Sequence, residues 1–238
     1  MEWLIWVGIA LLVGGIAYLS YYLKKKRLAE LKMMAAQLGL EFWGDDIEGL
    51  LLHPFSLFQR GDGRGIENVM RGEWQGIALR QFDYWYYEES TDSDGNRSRS
   101  YSRFSCALGW IEAACSPVTI GRENLFTRLA DHMGMPDIEF ELEEFNRAFN
   151  VKGKDRKFAF DFIDARMMRW LLDAGGEFEF EVVGNELLVY SKRRRPTELI
   201  PLLGTLKGFR EQVPRVVYEL YPAPGAGRPP SPLGPGLY

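Results

Sequence analysis

The chain has 238 residues, 46% of them hydrophobic and 14% aromatic, which is enough apolar material for a packed core and excludes a disordered chain. A formal net charge of −4 gives no support for nucleic-acid binding. The two cysteines, Cys106 and Cys115, are too few for a disulfide framework and read as small buried hydrophobes in a reducing compartment.

The first predicted element is the run from Trp3 to Leu23, which carries no charged side chain. At ~1.5 Å of rise per residue, about 20 residues cross the ~30 Å hydrocarbon layer, so residues 1–23 read as a transmembrane helix. Trp3 and Trp6 mark one lipid–water interface, and Tyr18, Tyr21 and Tyr22 the other. The run does not read as a signal peptide, because its start is Met1-Glu2, it is too long, and it ends in bulky Tyr-Tyr-Leu. Lys24, Lys25, Lys26 and Arg27 follow at once, and a basic flank prefers the cytoplasmic side. The expectation is a single-pass inner-membrane protein with its N-terminus outside and its body in the cytoplasm. Reversed, the same topology would make Cys106 and Cys115 candidates for one disulfide. Ala10 and Gly14 have the small-xxx-small spacing that lets two such helices approach, which would support self-association.

Residues 24–40 continue as a juxtamembrane helix. Leu28, Leu31, Ala35 and Leu38 share one face, and Gly39 is placed to end it. Three turns are too few for a coiled coil, so this face is expected to pack on its own domain.

Residues 41–221 read as a soluble α+β domain of antiparallel β-sheet packed with helices. Glu41 to Gly65 is irregular. Ile66–Met70, Ile77–Tyr87 and Tyr101–Leu108 are strand-like, joined by RGEWQG and TDSDGNRSRS in an antiparallel meander. A short strand at Pro117–Gly121 and a helix at Arg122–Met133 follow. Ile138–Leu142 and Ala148–Val151 read as strands around EEFNR, and FAFDFIDARMMRWLLDAGG as one helix stopped at Gly175-Gly176. EFEFEVVGNELLVYSK reads as a hairpin turning at Gly184-Asn185. Its Phe178, Phe180 and Val182 point inward, and Glu177, Glu179 and Glu181 face water. A closing helix spans Thr197 to Leu220, interrupted near Pro201 and Pro214. The tail, residues 222–238, is Pro/Gly-rich and expected to be disordered.

Few motifs carry chemistry. GDGRG at Gly61–Gly65 lacks the Lys-Ser/Thr of a phosphate loop and leads into a strand, so it reads as a turn. DSDGN at Asp92–Asn96 lacks the first ligand and the closing Glu of a calcium loop, and reads as a solvated hairpin tip. His53 and His132 have no partner at ligand spacing, so neither a metal nor a cofactor is expected. Asp161 and Asp164 sit at a helix start, where capping explains them as well as acid–base work does. Lys192, Arg193, Arg194 and Arg195, with Lys24 to Arg27, form a candidate surface for an anionic leaflet, each cation contributing ~1 kcal/mol. The plain alternative is a solvated loop balancing the Glu-rich strand. In the run Phe82 to Tyr87, alternation places Phe82, Tyr84 and Tyr86 on one face and Trp85 and Tyr87 on the other. Trp85 and Tyr87 are candidates for a partner surface, unless the strand is covered on both faces.

Phe145, Asn146, Arg147, Phe149 and Val151, followed by Arg166, Met167, Met168, Trp170 and Leu171, make an F-N-R-x-F-x-V … R-M-M-x-W-L block. This block, with ENVMRGEWQGIALRQFDYWYYEE upstream, resembles a family of bacterial single-pass membrane proteins built on a domain of unknown function. The resemblance covers Ile66 to Val189. It implies an N-terminal anchor and a mixed α+β body, and it carries over no catalytic residue.

The function this favours is a non-enzymatic interaction or scaffold module, holding a protein partner or itself at the cytoplasmic face of the membrane. Two alternatives stay open. One is a membrane-associated enzyme of unknown class using a pocket around Arg147, Asp161 or Asp164. The other is a lipid- or small-ligand-binding domain with a cavity.

Overall fold

The computed structural model describes residues 2–93, 95–122, 135–174 and 176–223. The helix expected between Arg122 and Met133, with His132, lies almost wholly outside the described residues, as does the tail beyond residue 223.

The transmembrane and juxtamembrane stretches form one helix, α1, Glu2–Leu38. From Ile5 it is long and apolar enough to cross a membrane, and none of its apolar window is buried against the domain. Its far end behaves differently. Leu31, Met34 and Ala35 are buried in the main core, so this part packs on its own domain, as the spacing of its apolar residues predicts. Gly39 takes φ +69°, and the Leu40 N–H closes the helix on the Ala35 carbonyl at 2.8 Å.

Among the described residues, six antiparallel strands build one sheet: β1 (Glu41–Asp45), β2 (Gly63–Trp74), β3 (Ile77–Thr91), β4 (Arg97–Gly121), β5 (Asn150–Gly153) and β6 (Glu179–Lys192). β2 to β4 form the expected meander, and β1, in the stretch expected to be irregular, pairs along the free edge of β2. Gln75 and Gly76, both at positive φ, make the two-residue turn between β2 and β3. Tyr101–Leu108 and Pro117–Gly121 prove to be parts of the single strand β4. At residues 118–120 that strand is paired on both edges, by β5 and by β6.

The predicted hairpin at Gly184-Asn185 does not form. Both halves lie along β4 as the continuous strand β6. Gly184 (φ +61°) sits where the ladder shifts register, once between Trp110 and Cys115 and again before Val118. The shift resets the alternation of both strands. Phe180 and Val182 before it, and Leu187 and Val189 after it, enter the same core. A β4 long enough to pair with both halves outweighs the local turn signal.

Among the described residues, five helices close the main core: α2 (Glu143–Ala148), α3 (Arg156–Phe162), α4 (Ala165–Asp173), α5 (Leu199–Gln212) and α6 (Arg215–Leu220). EEFNR is therefore helical rather than a link between strands, and it buries Phe145. The helix expected over FAFDF to Gly175 is two helices. Asp155 caps α3 through the Phe158 N–H, and Asp164 restarts the chain as α4 by accepting the Met167 N–H at 2.8 Å. The closing helix breaks at Pro214 as expected, and α5 carries Pro201 in its first turn without a break.

The opposite face of the sheet is also dry. Phe55, Leu57 and Phe58, from the irregular segment, cover Phe82, Tyr84, Phe104 and Tyr190 in a second core. This overturns the expectation of a wet Glu face on β6. Glu181 is fully buried and accepts the Ser56 and Leu57 N–H groups at 2.6 and 3.0 Å and the Tyr190 hydroxyl at 3.2 Å. Glu179 is only 5% exposed. Cys106 lies in the second core and Cys115 in the main core, on opposite faces of the sheet, so they form no disulfide. Burial pushes the Cys106 thiol well up and that of Cys115 to about 12, which makes both poor nucleophiles.

Candidate functional site

Alternation along β3 sends Leu79, Gln81, Asp83, Trp85 and Tyr87 to the face that carries α1. Gly39 lies against Gly72, which pairs with Leu79, whereas Arg27 reaches Asp83. The helix therefore runs back along β3 toward its hairpin end, and Trp85 and Tyr87 follow Asp83 in the direction of the membrane-spanning half.

Asp83 is the centre of this face. It is 2% exposed and gathers donors from several elements. Arg27 gives Nε and Nη2 at 3.0 and 2.8 Å, Asn68 its amide at 2.9 Å, Ser105 its hydroxyl at 3.2 Å and Arg193 its Nη2 at 3.3 Å. The remaining Arg27 amino group donates to the Arg194 carbonyl at 2.6 Å. A two-pronged guanidinium–carboxylate pair of this kind is both strong and directional. It fixes α1 to the sheet within one turn of Leu23. Burial and the neighbouring Arg27 pull the Arg193 guanidinium below its usual value, against Asp83 and Glu67.

The eight cations read as a leaflet-facing surface thus divide. Arg27 and Arg193 are turned into the domain by Asp83, and Arg194 pairs with Glu177 at 2.8 Å while stacking over Phe178. Arg195 is exposed and paired with Glu198, Lys26 faces Glu30 at 3.9 Å, and Lys24, Lys25 and Lys192 are exposed. Arg27 and Arg193 are withdrawn from the surface by a buried carboxylate, and Arg194 by an exposed one together with the Phe178 ring.

Trp85 and Tyr87 are half-buried, their rings stacked 6.4 Å apart, with Tyr101 5.5 Å from Tyr87 and Arg99 over the Tyr87 face. Their cross-strand partners are Gly65 and Gly63. A Cβ at Gly65 would lie 2.7 Å from the Trp85 ring, so these glycines are the bed on which the rings rest. Part of GDGRG is therefore strand, and its glycines serve an aromatic pad rather than only a turn.

Beside Arg193 a cleft of about 470 Å³ opens between β4, β6 and the 193–198 segment, walled by Phe104, Tyr190, Glu179 and Arg193, with Arg122 and Lys192 also lining it. Glu179 Oε2 and Arg193 Nε, both buried in its wall, have no hydrogen-bond partner among the described residues. Burial lifts the Glu179 carboxyl to about 7, with the Tyr190 hydroxyl opposing the shift.

The three residues considered for catalysis do not meet. Arg147 is exposed and paired with Glu143 at 2.7 Å, beside a separate polar cleft of about 420 Å³. Asp161 is held by Lys157 and the Tyr221 hydroxyl, which lower its pKa, and Asp164 is a cap. His53 finds a distant partner, its Nδ1 lying 2.7 Å from Glu186. Sequence reasoning missed Asp83 and Glu179. The signal for Asp83 was a lone carboxylate in the aromatic strand Phe82 to Tyr87, which demands a buried partner.

No protein-family model matches the chain, and no curated protein matches its sequence. A solved structure does: the mycobacterial trehalose monomycolate transport factor A, at a TM-score of 0.55 and 15% identity, over 83% of this chain and 98% of that one. The likeness is one of fold. It joins an antiparallel sheet packed with helices to a chain that here begins with a membrane-spanning candidate.

Proposed function

We propose that the protein is a non-enzymatic, membrane-anchored accessory factor of lipid transport, its domain held at the cytoplasmic face with the N-terminus outside. The observation that carries this reading is the fold match, which spans almost the whole of a protein named a transport factor. Its support here is physical. α1 is one rigid helix pinned to the sheet by Asp83, so whatever binds the domain is held at a fixed height above the bilayer. The pad of Trp85, Tyr87 and Tyr101 lies on the membrane-directed side, where aromatic rings suit an interface with a partner half in lipid. The family suggested by the F-N-R and R-M-M-x-W-L block remains part of the same proposal.

A photo-crosslinking residue placed at Tyr87 in native membranes tests the partner surface. The expected product is a crosslink to a multi-spanning transport protein, lost when Gly65→Val lifts the Trp85 ring. Crosslinks only to soluble enzymes would overturn the reading.

A further inference from the structure

We infer that Arg122 and Lys192, which share the cleft beside Arg193, bind the phosphate monoester headgroup of an anionic membrane lipid. The inference goes beyond the transport reading and needs from it only the membrane anchor.

The fold builds this cleft from parts of the chain that an extended strand would hold far apart. Glu179 opens β6 and Lys192 ends it, a span of about 40 Å for a straight strand, yet both line the cleft. Phe104, from the first half of β4, and Arg122, just past its end, meet there too. The β4–β6 ribbon is therefore curled, and the Tyr190 hydroxyl ties the curl by donating to Glu181 at 3.2 Å. Gly176 leaves the space that Arg122 fills, because a Cβ there would collide with the guanidinium. Arg122 is thereby laid across the cleft wall, and Lys192 stands exposed at its rim.

Pairing decides the sign of the ligand. The carboxylates of the cleft are already answered or closed off. Glu177 pairs with Arg194 at 2.8 Å, and Glu198 with Arg195 at 2.6 Å. Glu179 is buried, and burial keeps its carboxyl from ionising until about pH 7. Arg193 is likewise committed to Asp83 and Glu67, at 3.3 Å each. What stays open to solvent is one guanidinium and one ammonium, Arg122 and Lys192, neither with a carboxylate of its own among the described residues. A phosphate monoester carries about −1.5 to −2 at pH 7, which two such cations balance, and its oxygens suit a guanidinium fork beside a point charge. A phosphodiester or a fatty carboxylate, with a single charge, leaves one cation unbalanced. At about 470 Å³ the cleft falls within the ~300–1,000 Å³ of ligand sites. Position supplies the lipid. The carbonyl of Arg194, which lines the cleft, accepts from Arg27 at 2.6 Å, and Arg27 lies one helical turn beyond Leu23. The cleft therefore opens beside the end of the membrane-spanning run.

The test uses the full chain in phosphatidylcholine nanodiscs and reads amide hydrogen exchange at residues 176–179 and 190–194. With dioleoyl-phosphatidic acid in the disc at ~10 times its dissociation constant, protection there rises about tenfold over plain discs. Arg122→Gln and Lys192→Gln each weaken the rise and together abolish it. Gly176→Ala, which keeps both charges but displaces Arg122, weakens it as well. Exchange elsewhere in the domain is unchanged in all of them, the check on folding. Phosphatidylglycerol at the same mole fraction protects less. Equal protection by phosphatidylglycerol, or a rise that survives in the double variant, overturns the site in favour of diffuse attraction to a charged leaflet. Glycerol 3-phosphate added to plain discs distinguishes the sources, and protection by it equal to that by the lipid overturns the lipid half of the inference. No protection by either phosphate overturns the site. No transporter is present in the disc, so a negative result leaves the accessory-factor reading to its own tests.

Discussion

Replacing Asp83 with Ala removes the carboxylate on which two guanidinium groups converge. Arg193 keeps Glu67 at 3.3 Å, but Arg27, whose side chain is 15% exposed, is left with the Arg194 carbonyl alone. Removing one partner of a buried pair costs about 3–5 kcal/mol, and the partial exposure of Arg27 places this site at the lower end, about 3 kcal/mol. Arg27→Met costs less, about 1–2 kcal/mol, because Asp83 still receives Arg193, Asn68 and Ser105. The assay is urea unfolding of the full chain in nanodiscs, followed by tryptophan fluorescence. With a slope of about 2 kcal/mol per molar urea, Asp83→Ala lowers the midpoint by ~1.5 M at unchanged slope. The shift persists in 1 M NaCl, where the screening length of ~3 Å silences exposed pairs and leaves buried ones intact. A loss below about 1 kcal/mol, the range of surface pairs, or a larger effect at Arg27 than at Asp83, would refute this account of the junction.

Three further outcomes are expected. The Glu179 proton is held in the fold to about pH 7 against 4.5 in the open chain, so stability falls as pH rises from 4.5 to 7 and is level above. At ~1.4 kcal/mol per pH unit the fall from this group is roughly 3 kcal/mol. Glu179→Gln flattens it, leaving the same-signed contribution of Glu181, and a slope unchanged by that variant would contradict the assignment. Gln81 is 1% exposed and neither of its amide atoms has a partner among the described residues, so Gln81→Leu raises stability by about 1–3 kcal/mol, read as a higher urea midpoint, and a drop would show that the amide has partners of its own. Gly65→Val displaces the Trp85 ring into water, seen as a red shift of tryptophan emission, and an unshifted spectrum would place the ring elsewhere.

Much of the fold is legible because its signals are periodic. The apolar run to Leu23, the Leu28–Leu38 stripe and the β2–β4 meander each depend on neighbours within a turn or a strand. What escaped the sequence depends on distant partners. Glu179 and Glu181 alternate with Phe178, Phe180 and Val182 as surface residues do, and only the segment carrying Ser56 and Leu57, more than 120 residues away, makes their face dry. Gly184-Asn185 is a sound turn signal that a 25-residue β4 overrides by pairing with both flanks. The basic cluster at Lys192–Arg195 looked like one surface because nothing local reveals that Asp83 claims Arg193. The cleft was least legible of all, since Glu179 opens β6, Arg193 follows its far end, and Phe104 comes from β4.

The most direct test of the transport role is depletion of the protein in its native host, with pulse–chase of newly made lipid from the inner membrane to the outer layers of the envelope. The account predicts that synthesis continues while one lipid class stops arriving, and that wild-type protein restores arrival whereas Asp83→Ala does not. Unchanged arrival of every class would contradict it, and loss of synthesis itself would mark the protein as an enzyme instead.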